Sequence, residues 1–297
     1  MIIVLTGCTG FIGKKLVTKL VEDGHECIVL VRSSTKIPDS FPKSVRIALY
    51  SEMPSAADAV INLAGETVVG RWTTEKMDRI LNSRVDVTRQ LVTWMTELEV
   101  KPKVFLSGSA IGYYGDRGSE IITEETGPSL DKGFRFQVCE RWEVEANRAK
   151  SLGIRVVNLR IGNVLALGGG MLGQMLAMMK LAPIIVPHNP KGFLPWISMT
   201  DLVGMICFAL EHEKVSGPIN LVAPNSATWS DFYRGLAGIL KRPMMGKVPS
   251  FMLRLILGKF AEALMESQEI VPQRMLREGY VFHDPDMKGF FTSLKNG

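Results

Sequence analysis

Residues 2–21 read IIVLTGCTGFIGKKLVTKLV and contain the strongest local signals of secondary structure in the chain. Its first residues are aliphatic or β-branched, which predicts a short buried strand. Gly7, Gly10 and Gly13 follow at once with the spacing G-x-x-G-x-x-G. From residue 12 to residue 21 apolar side chains recur at helical spacing. The stretch therefore predicts a strand, a glycine turn and a helix in immediate succession.

A glycine turn between a strand and a helix suits a dinucleotide. The turn must be tight, its backbone must approach a diphosphate closely, and the helix must pack on the sheet with its N-terminus facing the anion. The alternative is a tight turn without a ligand, and the position directly after a strand favours dinucleotide binding. A nucleoside-triphosphate loop is excluded, because it needs glycine at position 8 and serine or threonine at position 15, where Cys8 and Lys15 stand.

Strand-like and helix-like segments alternate over the first half of the chain. The predicted strands are 27–31, 59–63, 103–107 and 154–160, and the predicted helices are 73–98 and 134–150. Continuous apolar strands joined by helices predict an α/β protein with a doubly wound parallel sheet, the Rossmann architecture. Ligands of such sheets bind beyond the carboxyl ends of the strands.

The regular alternation loosens after residue 160. Helices are predicted at 200–211, 230–240 and 249–265, a strand at 218–222, and a short helix between Pro272 and Gly279. We therefore expect a cofactor-binding domain over residues 1–165, with residues 199–222 as a candidate completion of its sheet. Residues 166–297 are expected to form mainly a smaller, mixed C-terminal lobe that binds substrate.

The composition excludes several classes of protein. The chain has 297 residues, of which 46% are hydrophobic and 22% charged, so it can bury a full core and is not intrinsically disordered. Its net charge of +5 comes from scattered basic residues, which argues against a nucleic-acid partner. The four cysteines are far apart, and neither C-x-x-C nor H-E-x-x-H occurs. Neither a disulfide framework nor a metal site is expected.

The sequence does not predict a membrane protein. Its longest apolar stretch, 171–187, is interrupted by Gln174, Lys180 and Pro183 and falls short of the roughly 20 residues that a span needs. Residues 251–265 suit either a helix on a membrane surface or a core-packing helix, and we favour the second. Because the first strand begins at residue 2, a cleavable leader there would remove core residues, and we expect a cytoplasmic location.

The loop after the second predicted strand distinguishes the two nicotinamide cofactors. NAD binding uses an acidic residue there to accept a hydrogen bond from the ribose 2′-hydroxyl. This chain has Arg32, Ser33, Ser34 and Lys36, and no acid between residues 32 and 37. Positive charge and hydroxyl donors suit a 2′-phosphate, so NADP(H) is the predicted cofactor. The alternative is that Arg32 is a solvated loop residue.

Several motifs together resemble the extended short-chain dehydrogenase/reductases. They are TGCTGFIG at 6–13, Arg32, INLAG at 61–65, SGSAIGYYG at 107–115 and LRIGNV at 159–164. NLAGE at 62–66, RW at 71–72, SR at 83–84, WE at 142–143 and PQRMLREGYVF at 272–282 resemble an atypical branch labelled "epimerase family protein". The resemblance covers the whole chain and implies a Rossmann domain with a small C-terminal substrate lobe.

The resemblance also implies a set of cofactor contacts. They lie in the glycine turn, at Arg32, in the stretch from Asn62 to Gly65 and in the loop after Arg160. The residues are Thr6, Gly7, Thr9, Gly10, Phe11, Ile12, Gly13, Arg32, Ser33, Asn62, Leu63, Ala64, Gly65, Ser107, Arg160, Gly162, Asn163 and Val164.

The chain departs from this family at its acid/base pair. Standard members carry a tyrosine four residues before a lysine on a helix, where the lysine lowers the pKa of the tyrosine and holds the nicotinamide ribose. No Y-x-x-x-K occurs in this sequence. If Glu143 matches the acid that usually follows the lysine, Arg135 and Cys139 occupy the tyrosine and lysine positions. Epimerase activity on nucleotide sugars is therefore not expected.

Three residues are candidates for the missing chemistry. Ser109 matches the family serine that binds the substrate oxygen, and the alternative is a hydroxyl satisfying a backbone group. Tyr113 and Tyr114 offer a phenol from the same loop, and the alternative is an aromatic pair packed beneath the cofactor. Cys139 is more simply a core residue than a thiol acid.

Four further residues are predicted substrate contacts: Glu66, Arg71, Trp72 and Trp196. The first three follow a strand, and Trp196 lies in a segment that resembles one crossing the mouth of the cleft. Thr200 and Asp201 are most simply a helix cap.

Two functional hypotheses follow. The first is an NADP(H)-dependent oxidoreductase that acts on a small-molecule substrate. The second is a non-catalytic NADP(H)-binding sensor or scaffold that keeps the fold and has lost turnover. The missing tyrosine and lysine favour the second, whereas Ser109 and the elaborated cleft favour the first.

A homodimer is predicted through the helices at 73–98 and 134–150. The first helix has an apolar stripe wider than one sheet face requires, with Trp94 off the main row. The family resemblance also implies pairing through these two helices. The alternative is a monomer in which another part of the chain covers the surplus surface.

Overall fold

A computed structural model describes residues 1–33, 41–179, 184–186, 189–247 and 266–296. Its central sheet has seven parallel strands in the order β3-β2-β1-β4-β5-β7-β11. These strands are β1 (Ile2–Thr6), β2 (Glu26–Val31), β3 (Arg46–Leu49), β4 (Ala59–Asn62), β5 (Val104–Ala110), β7 (Arg155–Ile161) and β11 (Gly217–Leu221). The interior strands are almost entirely buried, as expected for a sheet covered on both faces.

Helices cover the sheet and build the second lobe. They are α1 (Phe11–Glu22), α2 (Thr74–Glu97), α3 (Phe134–Asn147), α4 (Gly170–Met179), α5 (Met199–Glu211), α6 (Trp229–Leu240), α7 (Gln273–Arg277) and α8 (Met287–Asn296). Three small parallel pairs complete the described structure: β6 (Ile121–Ile122) with β13 (Glu269–Ile270), β8 (Asn163–Ala166) with β10 (Trp196–Ser198), and β9 (Ile184–Val186) with β12 (Met244–Lys247).

The strand order determines where a ligand can bind. β1 lies between β2 and β4, so the chain proceeds to one side of β1 through β2 and β3 and to the other side through β4 and β5. At such a reversal the loops after the two central strands diverge and leave a crevice at the carboxyl edge of the sheet. In this protein the crevice lies beyond Thr6 of β1 and Asn62 of β4.

The sequence predictions for the sheet are largely confirmed. The parallel α/β sheet is the predicted architecture, and β1, β2, β4, β5, β7 and β11 lie where strands were expected. The short edge strand β3 and the last helix, α8, were not predicted. The helix predicted at 134–150 ends at Asn147 and continues as a 3-10 turn, Arg148–Leu152. The helix predicted at 249–265 lies outside the described residues.

β11 pairs with β7 and is one of the two edge strands of the seven-stranded sheet. Part of the second half of the chain therefore belongs to the central sheet. The division between a cofactor domain and a substrate lobe at residue 165 stays a prediction. No helix in the described ranges has the length and apolarity that crossing a membrane requires.

The argument for a dimer from Trp94 is wrong. The Trp94 side chain is 7% exposed and its indole nitrogen donates a hydrogen bond to the Pro54 carbonyl at 3.0 Å. The chain itself therefore covers the surface that was expected to need a partner. On α3, Val144 is 61% exposed. The homodimer stays a prediction.

The cap of α5 also differs from the prediction. Ser198, rather than Thr200, is the N-cap, and its hydroxyl accepts a hydrogen bond from the Asp201 amide at 3.1 Å. The buried Asp201 carboxylate accepts hydrogen bonds from the amides of His283 and Asp284, each at 2.8 Å. Asp201 therefore fastens the C-terminal segment to the start of α5.

The second lobe has its own aromatic core. Phe232, Phe290 and Phe291 pack together with Trp229, and Trp196 joins them with its ring 5.3 Å from that of Phe290. The Trp196 side chain is 1% exposed. Its predicted role as a substrate contact is therefore not supported, because the ring is enclosed in the lobe.

Candidate active site

The glycine turn after β1 has no room for side chains. Gly7 has a φ of +72°, and a Cβ there would lie 2.3 Å from the Leu63 carbonyl oxygen. A Cβ on Gly13 would lie 2.4 Å from the Cα of Cys8. Both positions require glycine, because the obstructing atoms are backbone. The chain thus packs the turn directly against the segment that follows β4 and packs α1 directly against the turn.

Buried polar side chains hold the turn and the end of β4 together. The Thr6 hydroxyl donates a hydrogen bond to the Asn62 side-chain oxygen at 2.6 Å, and the Ala64 amide donates to the same oxygen at 3.1 Å. The Asn62 side-chain nitrogen donates to the Thr88 hydroxyl on α2 at 2.8 Å. Thr6 and Asn62 are fully buried, so their side chains shape the site and do not face a ligand.

The N-terminus of α1 faces the crevice. Its N-cap is Gly10, which offers no side chain to the free amides of the first turn. The ring of Phe11 packs against Gly169 and Gly170, where an added Cβ would lie 2.7 Å and 2.8 Å from ring carbons. The loop before α4 therefore closes over the start of α1. Thr9 is exposed, and Ile12 is half-buried against the core.

Arg32 and Ser33 lie directly after β2, and both are exposed. Strand β2 neighbours β1 in the sheet, so the two loops leave the same edge. The site thus has positive charge beside the glycine turn, on the side of β1 away from β4. Ser34 and Lys36, the other two members of the predicted basic loop, lie outside the described residues.

The loop after β4 folds back on α2 and α3. The Glu66 amide donates to the Ser83 hydroxyl at 2.9 Å, and Lys76 pairs with the Glu66 carboxylate at 2.6 Å. The hydrogen bond from Lys76 lowers the pKa of Glu66. The Trp72 ring packs edge-on against Phe134 with centroids 5.3 Å apart. Arg71 is exposed in the same loop. The loop therefore places three of the predicted substrate contacts on one wall.

A buried ion pair joins α3 to the central sheet. Both carboxylate oxygens of Glu143 on α3 accept hydrogen bonds from Arg160 on β7, each at 2.8 Å. The Ser109 hydroxyl on β5 donates to the same carboxylate at 2.7 Å. Burial opposes the charge of Arg160, but its bonds to Glu143 and Tyr114 raise its pKa above the ordinary value. These three residues are at most 7% exposed.

This geometry changes what two predicted site residues can do. Arg160 makes its bonds inside the protein, so a direct contact with a cofactor is not supported. The Ser109 proton points at Glu143, so the hydroxyl can only accept a hydrogen bond from a ligand and cannot donate one. Ser109 therefore differs from both earlier interpretations, since its partner is neither a substrate nor a backbone group.

The two loop tyrosines have different surroundings. Tyr114 is fully buried; its phenol donates to the Asn220 side-chain oxygen at 2.7 Å and accepts from Arg160 at 2.8 Å. Burial raises the pKa of Tyr114 to about 12, so it keeps its proton. Tyr113 is half-buried, and its ring centroid lies 3.6 Å from the Arg160 guanidinium carbon. Within the described residues the Tyr113 phenol has no hydrogen-bond partner.

The helix positions that the family resemblance gives to tyrosine and lysine are not available for proton transfer. Arg135 forms an ion pair with Glu266. The Cys139 thiol is buried and contacts the Ala110 carbonyl oxygen at 3.4 Å. Burial raises the pKa of Cys139 to about 11, so the thiol is neutral near pH 7. A role as a thiol acid is not supported, because the thiol is enclosed and its proton is directed at the Ala110 carbonyl.

The remaining predicted cofactor residues connect the two lobes. Both the amide and the side-chain nitrogen of Asn163 donate to the Pro195 carbonyl, at 2.9 Å and 2.8 Å. A Cβ on Gly162 would lie 2.8 Å from Val222. Val164 is half-buried against the core, and Ser107 is fully buried in the middle of β5. These residues set the back of the crevice.

Sequence reasoning missed several members of the site. Thr88 orients Asn62, Asn220 binds the Tyr114 phenol, and Arg84 packs beside Gly65. Each contact joins distant parts of the chain, and a single sequence carries no signal for such pairing. Arg84 belongs to the SR motif at 83–84, but the sequence predicted no function for it. In the part of the chain that the structure describes, no group of three or more His, Cys, Asp or Glu side chains could hold a metal ion.

Comparison with known proteins gives the class to which this fold and site belong. Residues 3–222 match the model of the NAD dependent epimerase/dehydratase family, and the chain therefore belongs to that family. Residues 248–294 match a domain of unknown function. The resemblance inferred from the motifs is thus confirmed.

Individual relatives carry the same label as the branch inferred above. An Arabidopsis thaliana protein, "Epimerase family protein SDR39U1 homolog, chloroplastic", is 34% identical over 95% of this chain and 83% of its own length. The crystal structure of human epimerase family protein SDR39U1 with NADPH has a TM-score of 0.89 and 29% identity, and covers 100% of both chains. A UDP-galactose 4-epimerase structure, at 20% identity and a TM-score of 0.74 over 100% of this chain and 99% of its own, shares the fold alone.

Proposed function

We propose that this protein binds NADP(H) in the crevice beyond β1 and β4 and transfers hydride between that cofactor and a small-molecule substrate. The observation that carries the proposal is the glycine turn. Gly7 and Gly13 have no space for a Cβ, and Gly10 leaves the first amides of α1 without a side-chain cap. Such a turn fits a diphosphate lying against the backbone and the positive end of the helix. The NADPH in the human relative's crystal structure supports the same choice.

Each part of the site has a role in holding the cofactor. The turn and the α1 N-terminus bind the diphosphate, and Arg32 with Ser33 binds the 2′-phosphate. Thr6 and Asn62 position the loops of β1 and β4 on either side. When bound, the reduced cofactor supplies a hydride. The chain must then bind the substrate and provide the proton that accompanies reduction of a carbonyl group.

Tyr113 is the proton donor in this proposal. It is the half-buried member of the tyrosine pair, and its phenol has no partner among the described residues. Arg160 fixes the ring from one side, and Tyr114 packs edge-on with centroids 5.5 Å apart. Tyr114 and Ser109 are unsuitable, because their protons are already donated within the protein.

Replacing Arg32 with alanine is expected to remove the preference for NADPH over NADH. Two charge-assisted hydrogen bonds to the 2′-phosphate account for a preference of roughly a hundredfold. The ratio of the two dissociation constants, measured by calorimetry, checks this. Arg46→Ala is the matched control. Arg46 is also exposed, but it begins β3 and therefore lies at the amino end of the parallel strands, away from the crevice at their carboxyl ends. Equal NADPH and NADH affinities in the unaltered protein would contradict the assignment.

Replacing Tyr113 with phenylalanine is expected to lower kcat by about 10²-fold or more, because one positioned acid contributes that much. The Kd for NADPH should not change. The assay follows stereospecific loss of deuterium from the nicotinamide C4 of labelled NADPH during a screen of carbonyl compounds. Tyr233→Phe is the control: it removes a phenol from the core of the second lobe. An unchanged kcat in Tyr113→Phe would refute the role of this phenol.

A second candidate function is NADP(H) binding without turnover, as a sensor or scaffold. The observation that favours it is that the Ser109 and Tyr114 protons are donated inside the protein while Cys139 and Arg135 occupy the acid/base positions. The same deuterium assay separates the two functions, since binding without turnover predicts tight NADPH binding and no label loss with any carbonyl compound.

We also propose that the protein is a homodimer and has a cytoplasmic location.

A further inference from the structure

Arg84 on α2 is a cation without a counter-charge. Its Nη1 donates to the carbonyl oxygens of Ile80, at 2.8 Å, and Glu66, at 3.1 Å. Within the described ranges no carboxylate lies within 4.0 Å of its guanidinium nitrogens. Other arginines that lie largely inside the fold are more fully engaged. Arg160 pairs with Glu143, Arg155 donates to three carbonyl oxygens, and Arg117 pairs with Glu120 and donates to three carbonyl oxygens.

The guanidinium has donors left for a ligand. Nε and Nη2 of Arg84 donate no hydrogen bond within the described residues, and neither atom is fully enclosed. Burial lowers the pKa of Arg84, and the nearby Cys139 and Glu66 only partly oppose this effect. A partly desolvated cation of this kind is stabilised when an anion binds beside it.

The packing around Arg84 holds the guanidinium in one place. A Cβ on Gly65 would lie 2.8 Å from its Cζ and 2.9 Å from its Nη2, so the absence of a side chain at residue 65 makes the space. On another side the Trp142 ring centroid lies 5.1 Å from Cζ. Gly65 directly follows the Leu63 and Ala64 backbone that packs on Gly7. Arg84 therefore lies at the crevice, on the β4 side of the glycine turn.

Helix α3 brings no lysine to the Arg84 guanidinium, although the family resemblance predicts one at a position close to it. Cys139 and Trp142 lie one turn apart on α3, and Arg84 is close enough to affect the pKa of Cys139. The family resemblance gives the position of Cys139 to a lysine, and Arg135, one turn earlier, is neutralised by Glu266. We propose that Arg84 is the oxyanion-binding residue of the crevice and supplies, from α2, the positive charge that a lysine at the position of Cys139 would bring.

The ligand chemistry follows from the guanidinium. Two adjacent N–H donors, Nε and Nη2, match two oxygens of a carboxylate or phosphate. Two sources offer that group: the diphosphate of the dinucleotide and a carboxylate on the substrate. The inference rests on the proposed function, because it places one of these two ligands in the same crevice.

The test compares Arg84→Met with the unaltered protein. Methionine keeps an apolar stem for Trp142 and Gly65 to pack on, and urea unfolding confirms that the variant is folded. Arg89→Met is the matched control: it removes the same charge from the same helix, where Arg89 is exposed and already pairs with Asp86 and Glu145. Calorimetry measures NADPH binding to each protein, and malonate binding to each protein saturated with NADPH.

Either of two results supports the proposal. A loss of NADPH affinity of at least about tenfold in Arg84→Met alone identifies the cofactor diphosphate as the oxyanion. Unchanged NADPH affinity with loss of malonate binding in Arg84→Met alone identifies a substrate carboxylate. Arg84→Lys, which keeps the charge without the paired donors, should retain part of the binding in either case.

Unchanged NADPH affinity together with no malonate binding that depends on Arg84 overturns the proposal. Failure of the proposed function gives a different result, because the unaltered protein would then not bind NADPH at all. In that case malonate is titrated into the protein alone, and equal binding by Arg84→Met, or no binding by the unaltered protein, overturns the role of Arg84.

Discussion

Replacing Gly7 with alanine is expected to abolish NADPH binding and to lower the free energy of unfolding by about 2–5 kcal/mol. Two effects add. An alanine in the left-handed conformation costs about 1–2 kcal/mol. The new Cβ would also lie 2.3 Å from the Leu63 carbonyl oxygen, so the loops after β1 and β4 must move apart. Because those two loops form the crevice, the loss of stability and the loss of binding have one cause.

Gly24→Ala is a closely matched control. Gly24 has a φ of +81°, and a Cβ there would meet no atom within 4 Å. It should therefore show the cost of the backbone conformation alone and bind NADPH like the unaltered protein. Calorimetry and urea unfolding measure both properties. If Gly7→Ala and Gly24→Ala had the same NADPH affinity and the same free energy of unfolding, close packing of the turn on Leu63 would contribute to neither property.

Replacing Glu143 with leucine is expected to cost about 3–5 kcal/mol in the free energy of unfolding, because it leaves the buried Arg160 charge without its partner. Replacing both residues, as Glu143→Leu with Arg160→Met, should recover much of that loss in stability. Apolar side chains of similar size carry no charge whose removal from water costs free energy. Urea unfolding of the two single variants and the double variant gives the coupling free energy between the residues.

The control for this experiment is the pair between Glu145 of α3 and the exposed Arg148, which is the C-cap of that helix. Arg148 binds Glu145 at 2.6 Å, but its side chain is 59% exposed, so Arg148→Ala should cost less than about 1 kcal/mol. A double variant as unstable as Glu143→Leu would contradict the account. It would mean that Glu143 stabilises the fold through Ser109 or by packing, and not by pairing with Arg160.

The part of the fold that the sequence could predict is the part with local signals. The glycine turn, the apolar strands and the helical periodicities of α1 and α2 are each visible within about 20 residues of chain. Strand β3 was missed because it has four residues and only one of them, Ala48, is buried. Helix α8 had a usable signal, since Met287, Phe290 and Phe291 recur at helical spacing and all pack into the second lobe.

The sequence predicted the parts of the site that are formed by the backbone of a single loop. It did not predict the parts that are formed by hydrogen bonds between side chains far apart in the chain. The turn glycines and Arg32 follow from position along the chain alone. The partners of Ser109 and Tyr114 lie 34 and 106 residues away, so their hydrogen bonds appear only once β5, α3 and β11 are assembled. Trp196 shows the opposite error. Its segment resembles one that crosses the mouth of the cleft, which suggested a substrate contact, but its ring packs into the second lobe.

A crystal structure of this protein grown with NADPH would show directly whether the cofactor occupies the crevice. We predict electron density for the diphosphate against Gly10 and the first turn of α1, with the 2′-phosphate within hydrogen-bonding distance of Arg32. It also predicts the nicotinamide ring on the side of the crevice that holds Tyr113. Density for NADPH elsewhere on the chain, or a 2′-phosphate with no contact to Arg32, would contradict the account.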